Sequence, residues 1–183
     1  MMQFHPTFLR SVLALGVLHA VVLTPVQAQT TGSLVVSANV VSSCVISATP
    51  LAFGNYDPLS TTDKDGSGTV VVTCGVGAIP TVSLNAGVNP AGTTTRQMKD
   101  SAAGSTAMLA YDIYMPASNL ASAACAYTTK WGDGTNFGSA QLLTAATDLQ
   151  PRTYNVCGRI PKGQTVPAST SPFQDTVTAT LSF

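Results

Sequence analysis

The sequence of 183 residues predicts an all-β protein, a sandwich or a barrel. Short apolar runs alternate with turn signals, strong helix formers are scarce, and Thr, Val, Ser, Gly and Asn are abundant. Residues 109–115 show the strand pattern most clearly, because Leu109, Tyr111, Ile113 and Met115 fall on one face of an extended chain. Strands of this kind, separated by turns, are typical of all-β sandwiches.

Five further segments carry a strand-like pattern. They are residues 34–46, 69–73, 81–84, 154–160 and 176–183. Segments rich in Gly, Asn, Asp and Pro separate them and predict turns, among them residues 63–68. In the last segment every second residue is apolar and faces the same side; these residues are Val177, Ala179, Leu181 and Phe183.

The first 28 residues have the layout of a secretory signal peptide. A weakly basic start ending at Arg10 precedes an apolar run over residues 12–23, and Val26-Gln27-Ala28 forms a cleavage site before Gln29. A membrane anchor is the alternative, but a span needs about 20 apolar residues and this run is shorter. We therefore predict an exported chain that starts at Gln29 and has no membrane span.

Composition and charge limit the classes of function that the protein can have. Eight Lys and Arg residues balance eight acids, all of them Asp, so no basic patch for nucleic acid is expected. Both histidines, His5 and His19, fall in the predicted signal peptide. Their removal excludes Ser-His-Asp and Cys-His catalysis and the usual zinc sets. Acid–base work by a pair of Asp residues stays open, but nothing brings a particular pair together. We predict neither an enzyme nor a cofactor.

The mature chain contains four cysteines, Cys44, Cys74, Cys125 and Cys157. An even number in an exported chain predicts disulfides, and four cysteines allow three pairings. We favour Cys44–Cys74 and Cys125–Cys157, which close loops of similar size and stabilise by about 3 kcal/mol each. A thiolate metal site is the alternative, but the sequence has no C-x-x-C pair.

Two weaker candidate sites remain. Residues 63–68 resemble the start of a calcium loop, with acids at positions 1 and 3 and Gly at position 6. Position 12 is Cys74 where such a loop needs Glu, so a turn is favoured. Trp131 and the five tyrosines could line a sugar-binding surface, but aromatic residues at strand spacing are more often core or interface.

The N-terminal strand pattern allows two interpretations. Its alternate residues Leu34, Val36, Ala38 and Val40 would face one side of an extended strand. The strand is either the first strand of a closed sandwich or a segment that leaves its own domain to complete a neighbour. The pattern alone favours the first interpretation.

Several motifs occur in a recognisable order over almost the whole mature chain. They are GSL (32–34), SCVI (43–46), LAFGNYDP (51–58), VVVTC (70–74), RQM (96–98), LAYDIY (109–114), WGDG (131–134), GRIPKGQ (158–164) and DTVTATLSF (175–183). Together they resemble the spore coat protein U domain family, whose members are mostly subunits of archaic, Csu-type chaperone–usher pili of Gram-negative bacteria. The same name covers a coat protein of myxobacterial spores.

The resemblance implies an incomplete immunoglobulin-like β-sandwich that is completed by a donor strand from another subunit. A periplasmic chaperone would lend a strand, and an outer-membrane usher would exchange it for the N-terminal strand of the next pilin. Residues 29–42 would be the donor segment and 43–183 the sandwich. The donor residues would be Leu34, Val36, Ala38 and Val40, and the groove edge would carry Val177, Ala179, Leu181 and Phe183.

The resemblance further implies a structural subunit of a pilus that supports attachment and biofilm formation at the cell surface. A tip adhesin would carry an extra N-terminal domain, for which we see no room, so a shaft or adaptor subunit is expected. Cys125 and Cys157 lie outside the core pattern of the family, so the resemblance does not support their pairing. The alternative is a monomeric surface-binding or spore-coat protein of the same fold.

Overall fold

Strands account for the regular secondary structure of the computed structural model, which describes residues 27–183. The predicted signal peptide up to residue 26 lies outside the described residues. Within residues 27–183 no helix forms, and accordingly none that could cross a membrane. The strands are β1 (Cys44–Ala52), β2 (Lys64–Cys74), β3 (Thr81–Leu84), β4 (Arg96–Asp100), β5 (Met108–Pro116), β6 (Cys125–Lys130), β7 (Gln141–Leu142), β8 (Arg152–Ile160), β9 (Phe173–Gln174) and β10 (Ala179–Ser182). The predicted all-β class is confirmed.

The strands form two antiparallel sheets. The larger has the order β1-β2-β8-β5-β4-β9, with β6 paired to β5, and the smaller has the order β10-β3-β7. Because successive side chains of a strand point to opposite faces, every second residue is buried, as in Val70, Val72 and Cys74 of β2. The hydrophobic core collects these residues from both sheets around Trp131, which is fully buried.

Two buried polar side chains link the sheets. The Trp131 indole Nε1 donates to the carbonyl of Val82 in β3 at 2.9 Å. The Arg96 guanidinium, 0% exposed, donates to the carbonyls of Leu84 (3.2 Å), Asn85 (2.9 and 2.8 Å) and Trp131 (3.0 Å). Burial lowers the pKa of Arg96, and nearby acidic groups oppose that shift. Arg96, the first residue of β4 in the large sheet, therefore fastens the end of β3 in the small sheet.

Residues 63–68 do not form the predicted turn. Lys64 to Gly68 pair with β8 instead, and Gly66 lies opposite Gly158. A Cβ on Gly66 would lie 2.7 Å from Cδ1 of Phe53, and one on Gly158 would lie 2.6 Å from its Cζ. The glycines are required because the Phe53 ring packs directly on the backbone of both strands. At these two positions glycine marks close packing and not a bend.

Both disulfides are present in the structure, in the pairing that loop size favoured. Cys44 and Cys74 are opposite residues of β1 and β2, and their bond joins the first residue of β1 to the last of β2. The second bond joins Cys125, the first residue of β6, to Cys157 in β8. Each bond therefore fixes the start of a strand to a longer neighbour.

Loss of the first disulfide should weaken the fold. Replacing Cys44 and Cys74 with Ser frees a loop with a sequence separation of 30 residues, and we expect the free energy of unfolding to fall by about 3 kcal/mol. Denaturant titration of the exported protein measures this change. Intact mass after alkylation without reduction should show no added label, and labelling of Cys44 and Cys74 would refute the pairing.

Candidate strand-acceptor groove

A groove of about 1270 Å³ opens between the two sheets. One wall consists of residues 48–56, which are the second half of β1 and the segment after it. The opposite wall consists mainly of residues 166–179, which include β9 and lead into β10. The floor is built from core side chains of β2, β3, β4, β5 and β8: Val70, Leu84, Met98, Leu109, Tyr111, Ile113, Val156 and Ile160. The groove therefore gives access to the hydrophobic core.

The strands that border this groove have unused edges. Among the described residues, β1 pairs only with β2 and β10 pairs only with β3. Both contribute side chains to the groove walls. Unpaired N–H and C=O groups along a strand edge are ready to bind another extended chain. The groove thus combines apolar pockets with main-chain hydrogen-bonding groups.

Only two of the four residues predicted for the groove edge line the groove. Val177 and Ala179 line the groove, whereas Leu181 packs against the core outside its lining. Phe183 is 59% exposed. Strand β10 is also shorter than predicted, because in the segment before it the backbone N–H of Thr178 bonds to the Asn85 side chain at 2.9 Å.

The predicted donor residues lie outside any strand. In the single chain residues 27–43 form no strand, and β1 begins only at Cys44, so only the last three residues of the strand-like stretch 34–46 lie in a strand. Leu34, Val36 and Val40 are 87%, 84% and 98% exposed, and Ala38 is also exposed. An extended chain needs a partner edge for its main-chain hydrogen bonds. The donor segment is therefore a run of exposed aliphatic residues without a partner strand among the described residues.

Tyr111 reaches both walls of the groove. Its ring packs edge-to-face on Phe53, with ring centroids 6.0 Å apart, and its hydroxyl donates to Asp175 Oδ2 at 2.7 Å. Burial, helped by Asp175, raises the pKa of Tyr111 well above its ordinary value, so the hydroxyl keeps its proton. Sequence reasoning placed Tyr111 on the apolar face of its strand but did not single out Asp175. Their separation of 64 residues leaves no local signal of the contact.

The acids of the rejected calcium loop are engaged elsewhere. Arg159 binds Asp65 through two hydrogen bonds of 2.7 and 2.9 Å and lies 3.7 Å from Asp63. The backbone N–H of Lys162 donates to the other oxygen of Asp63 at 3.1 Å. These acids therefore bridge β2 and β8. Of the aromatic residues considered for sugar binding, Trp131, Tyr111 and Tyr154 are buried in the core, and Tyr56, Tyr114 and Tyr127 are half-buried.

Chelation should therefore have no effect on stability. We expect the melting temperature of the assembled protein to be the same with and without EDTA, because both Asp63 and Asp65 are already engaged by Arg159. Differential scanning calorimetry measures it. A fall of many degrees that calcium reverses would show that these acids bind a metal ion.

The fold and groove define a class of protein: an immunoglobulin-like sandwich that, within residues 27–183, is left open between two unpaired strand edges. The model of the Spore Coat Protein U domain family matches residues 30–180, and the chain belongs to this family. The resemblance inferred from the motifs is confirmed.

One relative and one solved structure place the family in context. Protein U of Myxococcus xanthus is 32% identical over 178 residues, which cover 89% of this chain and 90% of that protein. The fold also matches a chain in the crystal structure of the CsuC–CsuE chaperone–tip adhesion subunit pre-assembly complex from archaic chaperone–usher Csu pili of Acinetobacter baumannii. That match has a TM-score of 0.54 and 26% identity, and covers 79% of this chain and 40% of the other.

Proposed function

We propose that this protein is a structural subunit of an adhesive pilus, polymerised by donor-strand complementation. Residues 29–42 of one copy would lie in the groove of the next, with Leu34, Val36, Ala38 and Val40 facing its floor. The observation that carries this proposal is the coexistence of two features in one chain. An apolar groove bordered by unpaired strand edges accompanies an exposed segment with an alternating apolar face.

The chemistry of the groove favours a strand as its occupant. An extended segment supplies N–H and C=O groups on both sides, which suits a cleft between β1 and β10. Its side chains alternate, so one face fills apolar pockets while Ser37 and Asn39 face away. Each buried aliphatic side chain contributes about 1.5–3 kcal/mol. Burial of four such side chains, together with main-chain hydrogen bonds, would hold neighbouring subunits together tightly.

An uncovered groove would be an aggregation hazard before assembly. A periplasmic chaperone would cover it during transit, and an outer-membrane usher would exchange the chaperone strand for the next donor segment. The likeness to a subunit of a chaperone–adhesin complex supports this partner. The filament would stand at the cell surface and serve attachment and biofilm formation. The role is mechanical and not catalytic.

A second function is favoured by one observation, the 32% identity to Protein U of Myxococcus xanthus. In that case the subunit would be a monomeric coat or surface-binding protein of the same fold. Its groove would be filled by its own chain or by a coat partner. The two functions predict different behaviour of the purified protein without a chaperone: a coat protein would be a stable monomer, and a pilus subunit would not.

Expression with and without a periplasmic chaperone separates these functions. A pilus subunit should be recovered as a one-to-one chaperone complex or as polymer, and should aggregate or degrade without the chaperone. Size-exclusion chromatography with light scattering measures the masses. A stable monomer that is indifferent to the chaperone would contradict the pilus function and favour the coat protein.

A further inference from the structure

We propose that Tyr111 is a positioning residue that sets the width of the groove and so limits the size of the side chains that the groove accepts. This inference rests on the proposed function. Tyr111 stands on β5, in the floor, and contacts Phe53 of one wall with its ring and Asp175 of the other with its hydroxyl. Tyr111 therefore joins the two walls across the floor of the groove.

The wall beside Phe53 cannot move inward. Phe53 follows β1 directly, and its ring lies on Gly66 of β2 and Gly158 of β8 so closely that a Cβ on either would overlap it. The backbone of the two central strands stops the ring on one side, and Tyr111 stops it on the other. Phe53 is thus a fixed point against which the Tyr111 ring rests.

In the opposite wall, residues 175–178 belong to no strand, and hydrogen bonds that involve side chains hold them in place. Between the end of β9 and the start of β10, Asp175 accepts hydrogen bonds from the Tyr111 hydroxyl (2.7 Å) and from the backbone N–H groups of Val88 (2.8 Å) and Thr176 (2.9 Å). Asn85 holds Thr178 in the same stretch, at 2.9 and 3.1 Å. Of these bonds, the one from Tyr111 ties the wall to the floor of the large sheet.

This arrangement gives the hydroxyl a role that the ring cannot fill. With the hydroxyl present, the Tyr111 side chain spans the groove from the Phe53 ring to the Asp175 carboxylate and so fixes the spacing of the two walls. Without it, the stretch between β9 and β10 keeps its bonds to Val88 and Asn85 and its neighbour β9 stays paired with β4, but Asp175 loses its bond to the floor at Tyr111. The groove would then widen, and large donor side chains would fit better than before. The natural donor face contains only Leu, Val and Ala.

The test measures release of labelled donor peptides from the assembled subunit. The mature chain is purified with its chaperone, loaded with a fluorescent peptide of residues 29–42, and chased with unlabelled peptide. Four further peptides each carry Phe in place of one inward residue: Leu34, Val36, Ala38 or Val40. The variants are Tyr111→Phe, Asp175→Ala and Asp175→Asn. Tyr114→Phe, on the opposite face of the same strand, is the matched control.

We expect Tyr111→Phe and Asp175→Ala to release the natural peptide about ten times faster, since each removes a hydrogen bond to a charged group. At one or more of the four positions, the preference for the natural peptide over the Phe peptide should fall at least about three-fold. Asp175→Asn can still bond both Val88 and Tyr111, so it should keep most of the preference. Tyr114→Phe should behave as the natural protein.

Three outcomes would overturn the proposal. If the Tyr111→Phe variant releases the peptide at the same rate as the natural protein and keeps the same preference over the Phe peptides, the hydroxyl does not set the width of the groove. Faster release with an unchanged preference at all four positions would show general weakening and not a change of width. Failure of the natural protein to take up any peptide would refute donor-strand binding itself, and the inference with it. Melting of each variant in its chaperone complex, followed by Trp131 fluorescence, identifies variants that fail to fold.

Discussion

The Val36→Asp variant should not polymerise but should still be recovered in complex with its chaperone. Val36 is 84% exposed in the single chain and becomes buried only if residues 29–42 enter a neighbour's groove. A charge at that position would have to leave water for an apolar pocket, which costs several kcal/mol. Binding of the proposed chaperone would be unaffected, because the chaperone would occupy the groove and not the donor segment.

The matched control is Ser37→Asp, which places the same charge on the opposite face of the same segment. It should assemble nearly as the natural protein does. Deletion of residues 29–42 should reproduce the Val36→Asp result and give soluble chaperone complex without fibres. Native gels and electron microscopy measure both outcomes. A deletion variant that is a stable monomer and still forms filaments would show that another segment links the subunits. One that unfolds and is not held by the chaperone would show that the segment belongs to its own domain.

Replacement of Arg96 by Met should lower the free energy of unfolding by at least about 3 kcal/mol. The Arg96 side chain is fully buried and donates to carbonyls of Leu84, Asn85 and Trp131. Methionine fills much of the volume but leaves these acceptors without donors. The end of β3, which carries β10 beside it, would lose its attachment to the core.

Lys99→Met, at an exposed position of the same strand, is the control for this change and should have little effect. Urea titration of the subunit bound to donor peptide measures the difference. Equal midpoints for the Arg96→Met and Lys99→Met variants would contradict the structural role of Arg96.

Strand positions with a clear alternating pattern could be predicted from the sequence. Strand β3 has the predicted bounds, and β5 and β8 contain the predicted segments, because burial on one face leaves a period of two. The pattern fails at residues 63–68, where Gly66 serves packing against Phe53. It also fails before Cys44, where the residues have strand character but pair with no strand among residues 27–183.

The groove could not be predicted from the residue pattern alone. Its existence followed only from the family resemblance, since one sequence does not reveal which strand edge stays unpaired. The Tyr111–Asp175 contact joins residues far apart in the chain, and Arg96 reads as an ordinary surface cation until its carbonyl partners surround it. Such polar contacts depend on tertiary geometry, and no spacing rule predicts them.

The position of the first disulfide bears on how a filament would carry mechanical load. If subunits are joined through residues 29–42, tension enters each one at Cys44, where β1 begins. Without a cross-link, that pull would peel β1 from β2 one hydrogen bond at a time, starting at its first residue. The bond from Cys44 to Cys74 passes the force to β2, which lies between β1 and β8 in the large sheet. The groove wall built on β1 would therefore keep its shape, and its grip on the next subunit, while the filament is stretched.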